Sequence, residues 1–217
     1  MDPAKKEQKQ RERMAVFIEA TSSIIEEEGI EAVSIRRIAQ RAGYHNSSIY
    51  FYFHDVNVLI ALACVRYFEQ YSRRLAAIRP DSQDSYHTFF QIWEFFCESA
   101  FSYPEIFRHL FFGNYDGNLT SILNQYYDIY PEQKEALSDV VKQMYFGRDI
   151  FERSALIQKQ ITGDIRVRVK ESQLEMVVSV TVSVFRSLLE QKCADPSLDA
   201  KQLTEHFMEV LHYLVDA

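Results

Sequence analysis

Ser34-Ile35-Arg36-Arg37-Ile38-Ala39-Gln40-Arg41-Ala42-Gly43-Tyr44-His45-Asn46-Ser47-Ser48-Ile49-Tyr50-Phe51-Tyr52-Phe53 decides the reading of this 217-residue chain. Ser34 is a side-chain cap for a short helix reaching about Arg41. Ala42-Gly43 then makes a turn, and a second short helix covers roughly Asn46 to Tyr52. Two short helices joined by a tight Gly turn can cross steeply, the helix-turn-helix arrangement. Ile35, Ile38, Ala39 and Ala42 face inward from the first, and Ile49 and Phe53 from the second. His45, Asn46, Ser47, Ser48, Tyr50 and Tyr52 then lie outward. They are short and polar or carry an aromatic hydroxyl, and none is negative. Such a face can approach the floor of a major groove and its flanking phosphates.

The charge distribution agrees, although the total is -7. Residues 34–54 hold Arg36, Arg37, Arg41, His45 and His54 and no acid. Residues 1–60 hold 8 basic and 9 acidic side chains, against 16 and 22 in the remaining 157. The acidic surplus therefore lies mostly behind the basic patch, where it discourages unspecific attraction to phosphate.

Working outward, Met14, Phe17, Ile18, Thr21, Ile24 and Ile25 keep the helical period, so about Lys5 to Glu28 reads as an amphipathic helix ended by Gly29. Beyond Asp55 come long aromatic helices: Asp55 to Ile78, Ser82 to Phe101, Pro104 to Phe112, Leu119 to Tyr130, a helix starting at Pro131, and Asp149 to Ile161. Two more follow, about Lys170 to Lys192 and Asp199 to Val215. Ser82 to Phe101 is aromatic on nearly every side and is expected to run through the middle of its domain. Val178 to Val184 alternates like a strand. No other segment offers a partner strand, so it is read as helix. The fold class is all-α, with a three-helix helix-turn-helix domain over residues 1–54 and a larger helical domain over residues 55–217.

These motifs resemble the tetracycline-repressor (TetR) family of transcriptional regulators. The family pattern is matched by Ser34, Ile38-Ala39, Ala42-Gly43, Ile49-Tyr50, Tyr52-Phe53 and Leu59, over about 50 residues. Three departures stand out: Val56 stands where a lysine is usual, Tyr44-His45 replaces Val-Ser, and Ser47 replaces a frequent glycine. Without the usual Ser cap, Asn46 is the substitute expected one residue later. The resemblance implies that Asn46 to Phe53 is the recognition helix. It implies that Arg36, Tyr50 and Tyr52 touch the DNA backbone and that Asn46, Ser47 and Ser48 read bases. Arg37, His45 and His54 complete the expected DNA-binding set. A palindromic double-stranded operator is the expected partner.

The resemblance also implies a second domain that binds a small effector and a homodimer built on the last two helices. Ser179, Val180, Ser183, Val184 and Ser187 would face Leu203, Phe207, Val210, Leu211 and Leu214 in a four-helix bundle. Most of the 30 aromatic residues lie beyond residue 60. Of these, Tyr67, Phe89, Trp93, Phe96, Phe107, Phe111, Tyr126 and Tyr145 are the candidate pocket lining, suited to an apolar or aromatic effector.

Other classes find little support. The chain has no Gly-rich phosphate loop, HExxH or GxSxG motif, and His87, His109, His206 and His212 lack nucleophile or ligand spacing. No catalytic residue, metal or cofactor is expected. Cys64, Cys97 and Cys193 are too far apart for a CxxC site or a disulfide framework. The stretch Leu174 to Phe185 is broken by Glu175 and Arg186, so no membrane span is expected. The charged N-terminus lacks a signal-peptide core, and a cytoplasmic location is expected. A helical interaction module that has lost DNA binding remains the alternative to a repressor released by its effector.

Overall fold

The computed structural model describes residues 3–77, 84–115, 118–135 and 147–217. Helix α1 (Pro3–Glu28) leads through a 3-10 turn at Ile30–Ala32 into α2 (Ile35–Ala42) and α3 (Asn46–Ile49). Then come α4 (Val56–Ala77), α5 (Ser85–Ser102), α6 (Pro104–Phe112), α7 (Leu119–Ile129) and α8 (Pro131–Glu135). The chain closes with α9 (Ile150–Lys159), α10 (Leu174–Ala194) and α11 (Ala200–Val215). No strand is formed among the described residues, and the fold is all-α. Ile78 and Tyr145 lie outside the described residues.

Sequence-local chemistry explains most boundaries. The side chains of Asp84, Asn118, Asp149 and Asp199 accept backbone N–H groups at the starts of α5, α7, α9 and α11. Each satisfies a donor that the first helical turn cannot pair internally. Pro104 opens α6, where its missing N–H costs nothing.

One buried apolar cluster runs from Phe17 in α1 to Val215 at the end of α11. Helix α1 packs on α2, α4 and α7, so the first helix joins the small N-terminal unit to the rest. Helix α4 is the central strut, contacting α1, α5, α6 and α7. Helix α5 packs along α11, and α9 along α10. Contrary to the expectation, α5 is not enclosed on all sides. Phe89, Phe90, Trp93, Phe96, Cys97, Ala100 and Phe101 are buried, but Gln91, Glu94 and Glu98 form a wet stripe. Its abundant aromatics still leave one polar row at helical spacing.

The alternating segment of α10 is helical because burial follows the 3.6 period, not the period of two. Val178, Thr181, Val182, Phe185, Leu188 and Leu189 are buried, while Ser179, Val180, Ser183 and Ser187 are exposed. Over 171–194 the best window reaches a mean hydropathy of 1.2, long and apolar enough by composition to cross a membrane. The charge interruptions therefore do not exclude that length. Here the apolar side of the helix serves the protein's own core.

The C-terminus is fastened by a polar clasp. Arg168 N–H donates to the Val215 carbonyl and Ala217 N–H to the Arg166 carbonyl, each at 2.9 Å. Arg166 donates to Asp84 at 2.7 and 2.9 Å and to Asp164 at 2.7 Å, and its guanidinium lies 4.3 Å from the centre of the Tyr86 ring. The Tyr86 hydroxyl donates to Asp216 at 2.8 Å.

Candidate functional site

The turn between α2 and α3 is built by local rules. Ser34 Oγ accepts the Arg37 N–H at 3.4 Å and starts α2. Gly43 takes φ +74°, and Tyr44 N–H reaches the Ala39 carbonyl at 2.9 Å. This is the left-handed glycine closure of a helix C-terminus, which a side chain would strain. Helix α3 is capped by His45, not by Asn46 as expected. Its Nδ1 accepts the Ser47 N–H at 3.4 Å and lies 2.9 Å from Ser47 Oγ. With Nδ1 as acceptor, the neutral ring carries its proton on Nε2, which is left as an outward donor.

The recognition element is shorter than expected. It is helical only over Asn46–Ile49, and residues 50–52 continue as turns closed by the Tyr52 and Phe53 N–H groups on the Ile49 carbonyl, both 2.9 Å. The inward positions hold: Ile38, Ala39, Ile49 and Phe53 are buried, with Ile35 and Ala42 half-buried. His45, Asn46, Ser47, Tyr50 and His54 are exposed, and Ser48 and Tyr52 are half-buried. Phe17 of α1 lies beneath them. Its ring centre is 5.1 Å from that of Tyr44, 5.9 Å from Tyr52 and 6.4 Å from Phe53.

The three arginines of the motif differ in state. Arg37 is paired with Glu28 and also donates to the Ala32 carbonyl at 3.3 Å. Arg41 makes a bidentate pair with Glu27, one bond at 2.6 Å. These hydrogen bonds hold Glu27 and Glu28 below the ordinary carboxylate range and raise both arginines. Arg36 is exposed and has no acidic partner among the described residues. Arg13 of α1 donates to Tyr52 Oη at 3.0 Å, fixing that tyrosine.

Two contributors escaped the sequence reading. Phe51 is 81% exposed beside Tyr50 at 54%, an apolar ring on the face that carries the polar set. Phe51 follows the end of the helix at Ile49, so a helical period assigns it no face. Phe17 lay in plain sight of the α1 period but nothing in the spacing linked it to Tyr44 and Tyr52.

The expected pocket residues do not form one group. Phe96 stands at the centre of a cluster with Phe107 at 5.7 Å, Phe111 at 5.3 Å and Phe185 at 4.9 Å, and Trp93 packs on Phe207 at 5.2 Å. Phe89 packs edge-on against Phe90 at 5.1 Å. Tyr126 belongs elsewhere, with Tyr127 at 5.5 Å and Tyr130 at 4.8 Å, and Tyr67 pairs with Tyr103 at 5.3 Å. An open cleft of about 360 Å³ between α6 and α10 is lined by Arg108, Phe112, Arg186, Glu190, Cys193 and Ala194, none of them among the expected residues.

Helix α6 touches the N-terminal unit directly. Arg108 lies 3.6 Å from Glu31 in the 3-10 turn before α2. His109 Nε2 is 3.2 Å from the Asn57 carbonyl at the start of α4, and burial pushes this imidazole toward its neutral form. On the last two helices, Phe207 and Leu211 are each only 1% exposed and belong to the protomer's own core, not to an outward bundle face. The outward face instead carries Met176, Val180 and Tyr213, at 59%, 39% and 77% exposure, with Ser179, Ser183 and Ser187.

A short helix pair joined by a glycine turn, with an outward face free of acids, is the arrangement of helix-turn-helix DNA-binding heads. Residues 17–59 match the family described as bacterial regulatory proteins, tetR family. The whole chain is similar in fold to FadR of Thermus thermophilus, a TetR-family transcriptional repressor solved with lauroyl-CoA. That likeness has 13% identity, covers 93% of this chain and 92% of that one, and has a TM-score of 0.56. It is similar to SmeT, the repressor of the Stenotrophomonas maltophilia efflux pump SmeDEF, at 15% identity, 94% and 90% coverage and a TM-score of 0.56. It is also similar to RolR solved with resorcinol, at 16% identity, 96% and 89% coverage and a TM-score of 0.58. No curated protein matches the chain. Residues 17–59 thus carry the helix-turn-helix head of the tetR family of bacterial regulatory proteins, and the chain has the fold of solved transcriptional regulators of that kind.

Proposed function

We propose that the protein is a homodimeric repressor whose residues 1–54 bind a palindromic operator and whose residues 55–217 bind an effector that releases it. The reading rests above all on the head. Arg36 is exposed without an acidic partner among the described residues, beside a polar and aromatic face without acids. Arg36 and His54 would meet phosphates, with Tyr50 and Tyr52 alongside. His45, Asn46, Ser47 and Ser48 would face base edges. Arg37 would steady the head through Glu28 before it contacts DNA.

Two heads are needed to read two half-sites of a palindrome. The exposed apolar groups of α10 and α11 favour a two-fold pairing through these helices. FadR was solved with lauroyl-CoA, which carries a long apolar chain, and RolR with the aromatic resorcinol, which supports an effector with an apolar or aromatic part. A signal could pass from body to head along α6, whose Arg108 and His109 contact Glu31 and Asn57. Such a protein acts by binding, not by catalysis, and would work in the cytoplasm.

The test is a gel shift on duplex DNA from upstream of its own gene across a salt series. Affinity should fall steeply as salt rises, because phosphate contacts release counterions. Salt-independent or absent binding would favour the reading of a helical module without DNA affinity.

A further inference from the structure

Buried polar groups in folded proteins are almost always hydrogen-bonded, so an exception asks for an explanation. Trp93 Nε1, Gln158 Nε2 and Thr181 Oγ1 have no hydrogen-bond partner among the described residues. Their side chains belong to residues only 3%, 1% and 2% exposed. Thr181 is the most telling. Thr21 and Thr204, also within helices, donate back to the carbonyls of Phe17 and Ala200, at 2.8 and 2.9 Å. Thr181 has the same option four residues back at Val177 and does not use it.

The three groups come from α5, α9 and α10; the aromatic cluster joins Trp93 to the Thr181 face, and helix packing brings α9 alongside. Thr181 lies one helical turn before Phe185, on the same buried face of α10. The Phe185 ring is 6.3 Å from Trp93 and 4.9 Å from Phe96. Helix α9, which carries Gln158, packs along α10. The indole and amide N–H groups are donors only, and the hydroxyl can also donate. Around Trp93 stand Phe96, Phe185 and Phe207, apolar rings that would penalise an unpaired charge.

We infer that Trp93, Gln158 and Thr181 are the polar anchors of the effector site, and that the effector is a neutral aromatic molecule bearing a hydrogen-bond acceptor such as a carbonyl oxygen. This rests on the reading above that the body binds an effector. It adds which groups orient the ligand and what chemistry they select.

Trp93 is the chain's single tryptophan, so its fluorescence reports on the site directly. The full-length protein would be titrated with acetophenone and with ethylbenzene, which has a similar skeleton without the oxygen. Acetophenone should give a saturable change in Trp93 emission, with an affinity about tenfold above that of ethylbenzene, as expected when a buried donor gains or lacks its acceptor. Thr181→Val and Gln158→Leu should each erase most of that preference. Both should also raise the melting temperature of the ligand-free protein, because an unpartnered polar group gives way to an apolar one. A fall in melting temperature in both variants, equal affinity for the two probes, or no saturable response to acetophenone would overturn the assignment. A parallel gel shift separates the two readings. Acetophenone that binds with the expected preference but leaves the DNA complex intact contradicts release by effector and upholds the anchors. Release without any change at Trp93 does the reverse.

Discussion

Arg36 differs from Arg37 and Arg41 in one physical respect: among the described residues no acid already neutralises its charge. Arg36→Ala should therefore weaken DNA binding at every sequence tested. It should also lower the slope of log affinity against log salt by about 0.9 per head, the loss of one phosphate contact. Fluorescence anisotropy across a salt series checks this, and an unchanged slope would remove Arg36 from the interface. Arg41→Ala should leave the slope alone and lower the melting temperature through its lost pair with Glu27. Tyr50→Ala should reduce operator affinity about tenfold, in the range of lost aromatic and polar contacts at a nucleic-acid surface, with dimerisation intact. At this scale the sequence was legible where the chemistry is local. Ser34 and Gly43 sit where a cap and a left-handed closure are needed, and both do that work. The His45 cap was not legible, because an imidazole lone pair replaces the usual hydroxyl or carboxylate oxygen. The pairs of Arg37 and Arg41 with Glu28 and Glu27 span 9 and 14 residues and depend on how α1 and α2 cross, which no periodicity states.

Helix α10 shows how an element's environment overrides its local pattern. Its valine-serine alternation suits a strand, yet the rows buried at helical spacing meet α5, α6 and α9. Phe185, fully buried, touches the rings of Trp93, Phe96, Phe101, Phe112 and Phe207. Phe185→Ala should cost about 3–5 kcal/mol, the usual range for a buried phenylalanine, measured by urea unfolding. A loss well under 1 kcal/mol would mean the cluster is loosely packed. The clasp around Arg166 joins residues 84, 164 and 216, whose sequence separation made it invisible beforehand. Hydrogen bonds from Arg166 hold Asp164 down at about 2 and Asp84 also well below its usual value. Both carboxylates are depressed in the folded state, so their contribution is present above about pH 4, the unfolded value, and fades as pH falls toward 2. Arg166→Met should lower the melting temperature at pH 6, and the gap to the wild type should narrow as pH falls from about 4 toward 2. A gap that is constant with pH would assign the effect to packing on Tyr86 instead.

At the scale of the whole molecule, the layout of helices was readable from apolar period, glycine and proline, and the all-α architecture follows from it. The division of labour along α10 and α11 was not, since a single sequence does not say which apolar rows turn inward. Phe207 and Leu211 belong inside, and Met176, Val180 and Tyr213 remain outside. Val180→Glu would place two like charges near the two-fold axis of the proposed dimer. Sedimentation velocity should then show monomers with the helical content preserved, and operator affinity should collapse with the dimer. A variant that stays dimeric would move the interface elsewhere. The most direct test of the central claim is to let the full-length protein enrich binding sites from a pool of random duplex DNA and sequence them. The account predicts a two-fold palindrome whose half-sites lie about one helical turn, roughly 34–36 Å, or a multiple of it apart. No enrichment, or enrichment of asymmetric sites, would contradict it.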